Sequence, residues 1–317
     1  QAISAAVIAL AAFFIRGAWL GVVVLLALAA LSLFRALCSI AGKDVQARTI
    51  SKGQRGRVTG SAAALGGGAT LLAGVILFLL GDLTISTMGI VLLVGASTWG
   101  IATWVFSHVE EPVPEGEQEG IDKSWWSDTW KLFTGDAQFR NFVIVRALLL
   151  VSALSTAFII LLHDDLSGIY GFVLASGLAS LVGGRVSGIF SDRSSKNTMA
   201  AGAAISSVII LLIVASSHWA PDSVNAWVMP LGFFAVNLAH TAVRVARKTY
   251  VVDMAGGDKR TQYVGAANTM MGIILLIMGG ISSVIALAGP EAALIFLALV
   301  GFIGVWRAGS LKEVSRT

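Results

Sequence analysis

The sequence predicts an all-α polytopic membrane protein, and three observations predict it. Of 317 residues, 56% are hydrophobic and only 13% are charged, with a mean hydropathy of +0.83. A soluble domain carries about 25% charged residues, so lipid rather than water must cover much of this surface. The apolar residues also fall into runs near the twenty that cross a bilayer as a helix, and none of the runs alternates with the period of two that barrel strands show. Finally, lysine and arginine concentrate in every second break between runs.

About ten candidate spans result: 1–15, 18–39, 60–81, 84–107, 141–162, 168–190, 198–217, 225–245, 263–286 and 290–307. The first is short, as a truncated helix would be. Alternate breaks hold Lys43, Arg48, Lys52, Arg55 and Arg57, then Lys123, Lys131 and Arg140, then Arg193 and Lys196, then Arg247, Lys248, Lys259 and Arg260. The tail adds Lys312 and Arg316, while the intervening breaks hold Asp82, Asp164, Asp165, Asp222 and Glu291, with Arg16 their one clear base. Positive charge stays on the cytoplasmic side. The expectation is a multi-pass protein of the cell's inner (plasma) membrane with its C-terminus in the cytoplasm. The pI near 9.4 then reflects topology, and no nucleic-acid partner is expected. Cys38 is the one cysteine, so no intrachain disulfide can form.

The longest break, 108–140, opens with acidic, Pro- and Gly-containing "HVEEPVPEGEQEG", which reads as a flexible linker. "KSWWSDTWKLF" follows and places Trp125, Trp126, Trp130 and Phe133 broadly on one side of a short interfacial helix. The expected domains are therefore 1–107, the connector 108–140, and 141–317. "HVEE" has metal-ligand residue types, but a flexible linker holds no fixed geometry, so no metal site is expected. No phosphate-binding loop appears either, and neither cofactor nor soluble enzyme chemistry is expected.

"RGRVTGSAAALGG" at 55–67 and "RTQYVGAANTMMG" at 260–272 share an Arg five residues before a Gly, offset by 205 residues. Asp44 and Asp253 lie upstream of each. With this offset the span 198–217 falls over the truncated first span, whereas 141–162 and 168–190 fall before residue 1. The expectation is a protein of two pseudo-repeated halves of six helices, twelve in all, whose first two helices precede this sequence.

Between two spans lies "GRVSGIFSDRSSKNT", residues 184–198. Together with the two halves and the long connector, this stretch resembles the major facilitator superfamily, whose cytoplasmic signature is Gly-x-x-x-Asp-Arg/Lys-x-Gly-Arg/Lys-Arg/Lys. Gly188, Asp192, Arg193 and Lys196 match it; Ser195 and Asn197 replace the second glycine and the last base. The loops around 35–57 and 244–269 also look like those of an uncharacterised bacterial permease subgroup. The resemblance covers the chain read as helices three to twelve. It implies a major-facilitator-like bundle and secondary active transport of a small-molecule solute by rocker-switch alternating access. It also implies a monomer in membrane lipid, with the signature latching the cytoplasmic side and a coupling proton as a possible partner. On physical grounds Gly188 lets a neighbouring helix approach. Asp192 pairs with Arg193, pairs with a base in a neighbouring loop, or accepts from a helix N-terminus.

Ionisable groups inside spans are functional candidates. Arg146 either faces a central cavity and binds an anion or snorkels to the headgroups. Asn237, His240, Thr241 and Arg244 share one helical face. They line a solute path or form interhelical hydrogen bonds, and Asn268 fits either account. Arg185, nearer its helix end, reads as structural. Gly66, Gly67, Gly68 and Gly74 read as close-packing residues, with no proline beside them of the kind the family's antiporter signature requires. The cations Arg146, Arg244 and His240 have no carboxylate in the span interiors, which favours an organic anion as solute. Two other classes remain open at this stage: a membrane enzyme acting on lipid-linked substrates, and a transporter-like receptor or fragment.

Overall fold

The computed structural model describes residues 1–51, 53–80, 85–110, 125–162, 169–254 and 260–315. The helices are α1 (Ala2–Phe14), α2 (Ala18–Thr49), α3 (Arg55–Leu80), α4 (Ile85–Phe106), α5 (Trp125–Gly135) and α6 (Ala137–Leu148), followed by α7 (Val151–Leu161), α8 (Ile169–Arg193), α9 (Ser195–Trp219), α10 (Asp222–Met254), α11 (Arg260–Ile285) and α12 (Pro290–Ala308). No strand occurs among the described residues. Among the described residues nine spans are long and apolar enough to cross a membrane, with α6 and α7 counted together as one of them. The chain is thus an all-α polytopic membrane protein. The tenth candidate, α1, has 13 residues. At 1.5 Å per residue that is about 20 Å, short of a hydrocarbon core of about 30 Å.

Three elements differ from expectation in a physically informative way. Helix α2 continues past residue 39 to Thr49, and α10 runs from Asp222 to Met254 rather than over 225–245. An apolar window marks where a helix lies in lipid, not where its hydrogen bonding stops. Beyond that window α2 is supported by the Arg48–Asp44 pair, 2.9 Å apart at i, i+4. The span 141–162 breaks at Leu149 and Leu150 into α6 and α7, although neither proline nor glycine marks the place. The short helix expected over the tryptophan-rich segment appears as α5, with Trp126 and Trp130 about half exposed and Thr129 buried. The linker residues 111–124 lie outside the described residues.

Contacts divide the chain into two compact units, Gln1–Thr49 with Leu77–Glu117, and Ile50–Ile76 with Gln118–Thr317. In the first, α1 packs against α2 and α4 through Ala5, Ala9 and Ala11. In the second, α10 is the central helix, flanked by α8 and α9, and α12 closes against α9, α7 and α6. The outer faces remain apolar: Leu25 and Leu26 on α2, Leu276 on α11 and Leu299 on α12 are all exposed. So much apolar surface is stable only against lipid.

The corner between α5 and α6 is held by Asp136. Its carboxylate caps α6, accepting from Gln138 N–H (2.8 Å) and Phe139 N–H (3.0 Å), and it also accepts from the Tyr263 hydroxyl. Burial pushes the Asp136 carboxyl pKa up, but the bonds from Tyr263, Phe139 and Gln138 together hold it below its ordinary value.

Helices α3 and α8 meet along a seam of small residues. A Cβ placed on Gly184 would lie 2.5 Å from both Ala64 N and Gly60 O, and one on Gly177 would lie 2.6 Å from Leu71 N. Gly67 faces the backbone of Ser180 and Leu181, and Gly74 faces Leu174. Close backbone approach of this kind drives helix association where lipid is as apolar as leucine. Of the four glycines singled out in the sequence, Gly67 and Gly74 lie on the seam, whereas Gly66 has open space around it and Gly68 makes only ordinary contact.

Two outcomes are expected. Gly184→Ala should destabilise the detergent-solubilised protein by about 1–3 kcal/mol through overpacking, while Gly66→Ala should stay within about 0.5 kcal/mol. Thermal unfolding followed by tryptophan fluorescence separates the two. Asp136→Ala should cost about 1 kcal/mol at neutral pH. Because the folded pKa is lowered, the charge-dependent part of that cost is complete above the ordinary value of 3.8 and disappears as pH falls through the folded value. A cost equally large at the acid end would show that the charge is irrelevant.

Candidate functional site

The first N–H groups of an α-helix have no partner within the helix, and its N-terminus carries partial positive charge. Helix α3 begins at Arg55, and its leading amides are met by a carboxylate from another helix. Asp192, one residue from the end of α8, accepts from Gly56 N–H at 2.7 Å through Oδ1 and from Arg57 N–H at 2.9 Å through Oδ2. Of the three arrangements open to Asp192 in the sequence, the helix N-terminus is the one adopted. The spacing Gly-x-x-x-Asp acquires a reason here. Gly188 and Asp192 share a face of α8, and a Cβ on Gly188 would strike the carbonyl of Gly56. A Cβ on Gly56 would in turn lie 2.5 Å from Asp192 Oδ1 and 2.6 Å from Gly188 O. One glycine on each helix permits the approach, and the carboxylate fastens it.

A second fastening lies beside the first. The Arg55 guanidinium donates from Nη1 to Asp253 Oδ1 at 2.8 Å and from Nε to Ile50 O at 3.0 Å. The Arg55 side chain is 5% exposed and that of Asp253 is 1% exposed. The N-terminus of α3 is therefore gripped by the ends of both α8 and α10. The sequence singled out Arg55 and Asp253 only as members of the repeated loops; nothing in it pairs residues 198 positions apart.

The rest of the signature does other work. Arg193 is exposed. Lys196 donates to Leu311 O at 2.9 Å, part of a set of bonds that holds residues 310–315 across the loop between α8 and α9. Ser194 Oγ donates to Glu313, Ser195 N–H donates to Ser315 Oγ at 3.1 Å, and Tyr250 OH donates to Lys312 O at 3.0 Å. Ser195 is one of the anchors of this strap.

The polar stripe on α10 divides. Asn237 and Thr241 turn to α8, where Ser176 Oγ donates to Asn237 Oδ1 and Ser180 Oγ contacts Thr241 Oγ1, both at 3.4 Å. These two make interhelical contacts. His240 turns to α7 instead, with Nδ1 3.1 Å from Ser152 Oγ. Arg146 is 9% exposed; its Nη1 reaches Ala267 O on α11 at 3.4 Å, and its Nε has no partner. Asn268, the next residue on α11, is half-buried and has its own contacts. Arg244 is likewise half-buried and engaged. Arg247, about two turns of α10 beyond His240, interacts electrostatically with Arg146 and His240. It was counted in the sequence only as a loop base, because residue 245 ended the apolar window; Ser152 carried no signal at all. Arg185 is exposed on α8.

Breaking one partner of a buried pair strands the other charge and costs about 3–5 kcal/mol. Arg55→Met and Asp253→Leu should each destabilise on that scale, and the double variant should cost much less than their sum. Additive losses in thermal unfolding would show that the two charges do not depend on each other. No family model matches this chain, and no curated protein matches it.

Proposed function

We propose that this chain is a secondary transporter that moves a small solute across a membrane by alternating access. The observation that carries the reading is the Asp192 carboxylate on the amides of α3. Hydrogen bonds to a charged group contribute about 1.5–3 kcal/mol each. Two of them, with the Arg55–Asp253 pair adjacent, make a fastening of a few kcal/mol. That is the scale that separates two interconverting conformers, and it can be released and remade without covalent change. The likeness of "GIFSDRSSK" to the major facilitator signature supports the same assignment, as does a helical bundle with lipid-facing outer surfaces. On this reading the basic ends of α3, α8 and α10 face the cytoplasm of a cell whose inner membrane holds the protein.

The test is solute flux in proteoliposomes. Asp192→Asn keeps an acceptor oxygen but loses the charge. It should insert normally and transport at least about tenfold more slowly, the equivalent of one charge-assisted bond. Wild-type flux in a well-inserted Asp192→Asn protein would reduce the loop to a topology signal. Absence of flux for anionic, neutral and cationic solutes alike would remove the transport reading.

A further inference from the structure

Helices α6 and α7 form one membrane span interrupted at Leu149 and Leu150. The residues flanking the interruption are polar: Arg146 three residues before Leu149, and Ser152 two residues after Leu150. Helix α10 places His240 against Ser152 and Arg247 in range of both Arg146 and His240. Interrupted helices with converging polar groups are how membrane bundles build solute sites. His240 and Arg247 are half-buried and keep some accessible surface.

The charge of this cluster is unbalanced. Among the described residues Arg146 has an unpartnered Nε and no carboxylate within bonding distance, and no carboxylate pairs with Arg247. The acids on the surrounding helices are committed elsewhere: Asp192 to the amides of α3, Asp253 to Arg55, and Asp136 to the cap of α6 and Tyr263. Asp222 is exposed at the far end of α10. Uncompensated cations buried in a bundle are costly, and a guanidinium presents a planar fork that fits the two oxygens of a carboxylate or phosphate.

We infer that the break between α6 and α7 forms a binding site for an oxyanion, a carboxylate or phosphate group held by Arg146 and Arg247 and completed by Ser152 and His240. This rests on the transport reading only in taking the bound group to be the anionic end of the solute; the site itself is tested by binding. The full chain is purified into nanodiscs of zwitterionic lipid, and its unfolding midpoint is measured at fixed ionic strength while chloride is exchanged for succinate, sulfate or inorganic phosphate. At least one oxyanion should raise the midpoint in a saturable way. Its apparent affinity should fall at least about tenfold in Arg146→Gln and in Arg247→Gln, the loss of one charge-assisted contact. Arg146→Lys should recover part of it, and Arg185→Gln on the exposed face of α8 should change nothing.

A parallel arm replaces the soluble anions with phosphatidylglycerol in the nanodisc. Stabilisation found only there, and lost in Arg146→Gln, assigns the oxyanion to a lipid headgroup. The inference is overturned if no oxyanion and no anionic lipid stabilises the protein, or if the effect survives both glutamine variants. Where a glutamine variant does not fold, the Arg146→Lys and wild-type titrations decide. Oxyanion binding without flux would leave the site standing and remove the transport reading. Flux of neutral or cationic solutes without oxyanion binding would do the reverse.

Discussion

The geometry at the basic end of the second unit depends on one constraint: the leading amides of α3 have no partner within their own helix and must find acceptors outside it. Helix ends are ordinarily satisfied by a local side chain or by water. Here the acceptor comes from α8, so the solution to a local problem becomes a bond between helices that are far apart in sequence. Several features follow from it. Gly56 and Gly188 must lack side chains for the carboxylate to reach. Arg55, at the head of the same helix, is held next to the end of α10, where Asp253 neutralises it. The loop after Asp192 is then fixed from its other side by residues 310–315.

These commitments explain the chemistry deeper in the unit. With Asp192 and Asp253 both engaged at the basic end and Asp222 exposed at the far end of α10, helices α8 and α10 place no free acid beside Arg146 and Arg247. The two regions are therefore complementary. Carboxylates and cations are matched where helices fasten to each other, and cations stand in excess where the α6–α7 span is interrupted.

Much of the architecture was legible in the sequence, because membrane-spanning segments announce themselves by length and apolarity. The spans were found within several residues, and the errors fell at helix ends that leave the apolar layer, as at α2 and α10. The interruption at Leu149 was not legible, since neither residue there breaks helices intrinsically. Gly188, Asp192 and Lys196 were each singled out in the sequence, but their separate contacts were not. Gly188 and Asp192 act on α3, while Lys196 binds the strap, and only tertiary contacts separate those roles. The sequence placed the polar stripe of α10 on one face. Yet a single face can address two neighbours, and a rotation of about 100° per residue sends Thr241 to α8 while His240 meets α7.

The seam between α3 and α8 is built from glycine and backbone, and this has an entropic consequence. Side chains that pack an interface lose rotamer freedom when it forms and regain it when it opens. Gly56, Gly60, Gly177, Gly184 and Gly188 have no rotamers to lose. Where they alone make the contact, separating and rejoining the two helices changes no side-chain order. The free energy of that part of the contact lies in dispersion and in the polar fastening at its end, and neither requires repacking before the contact can reform.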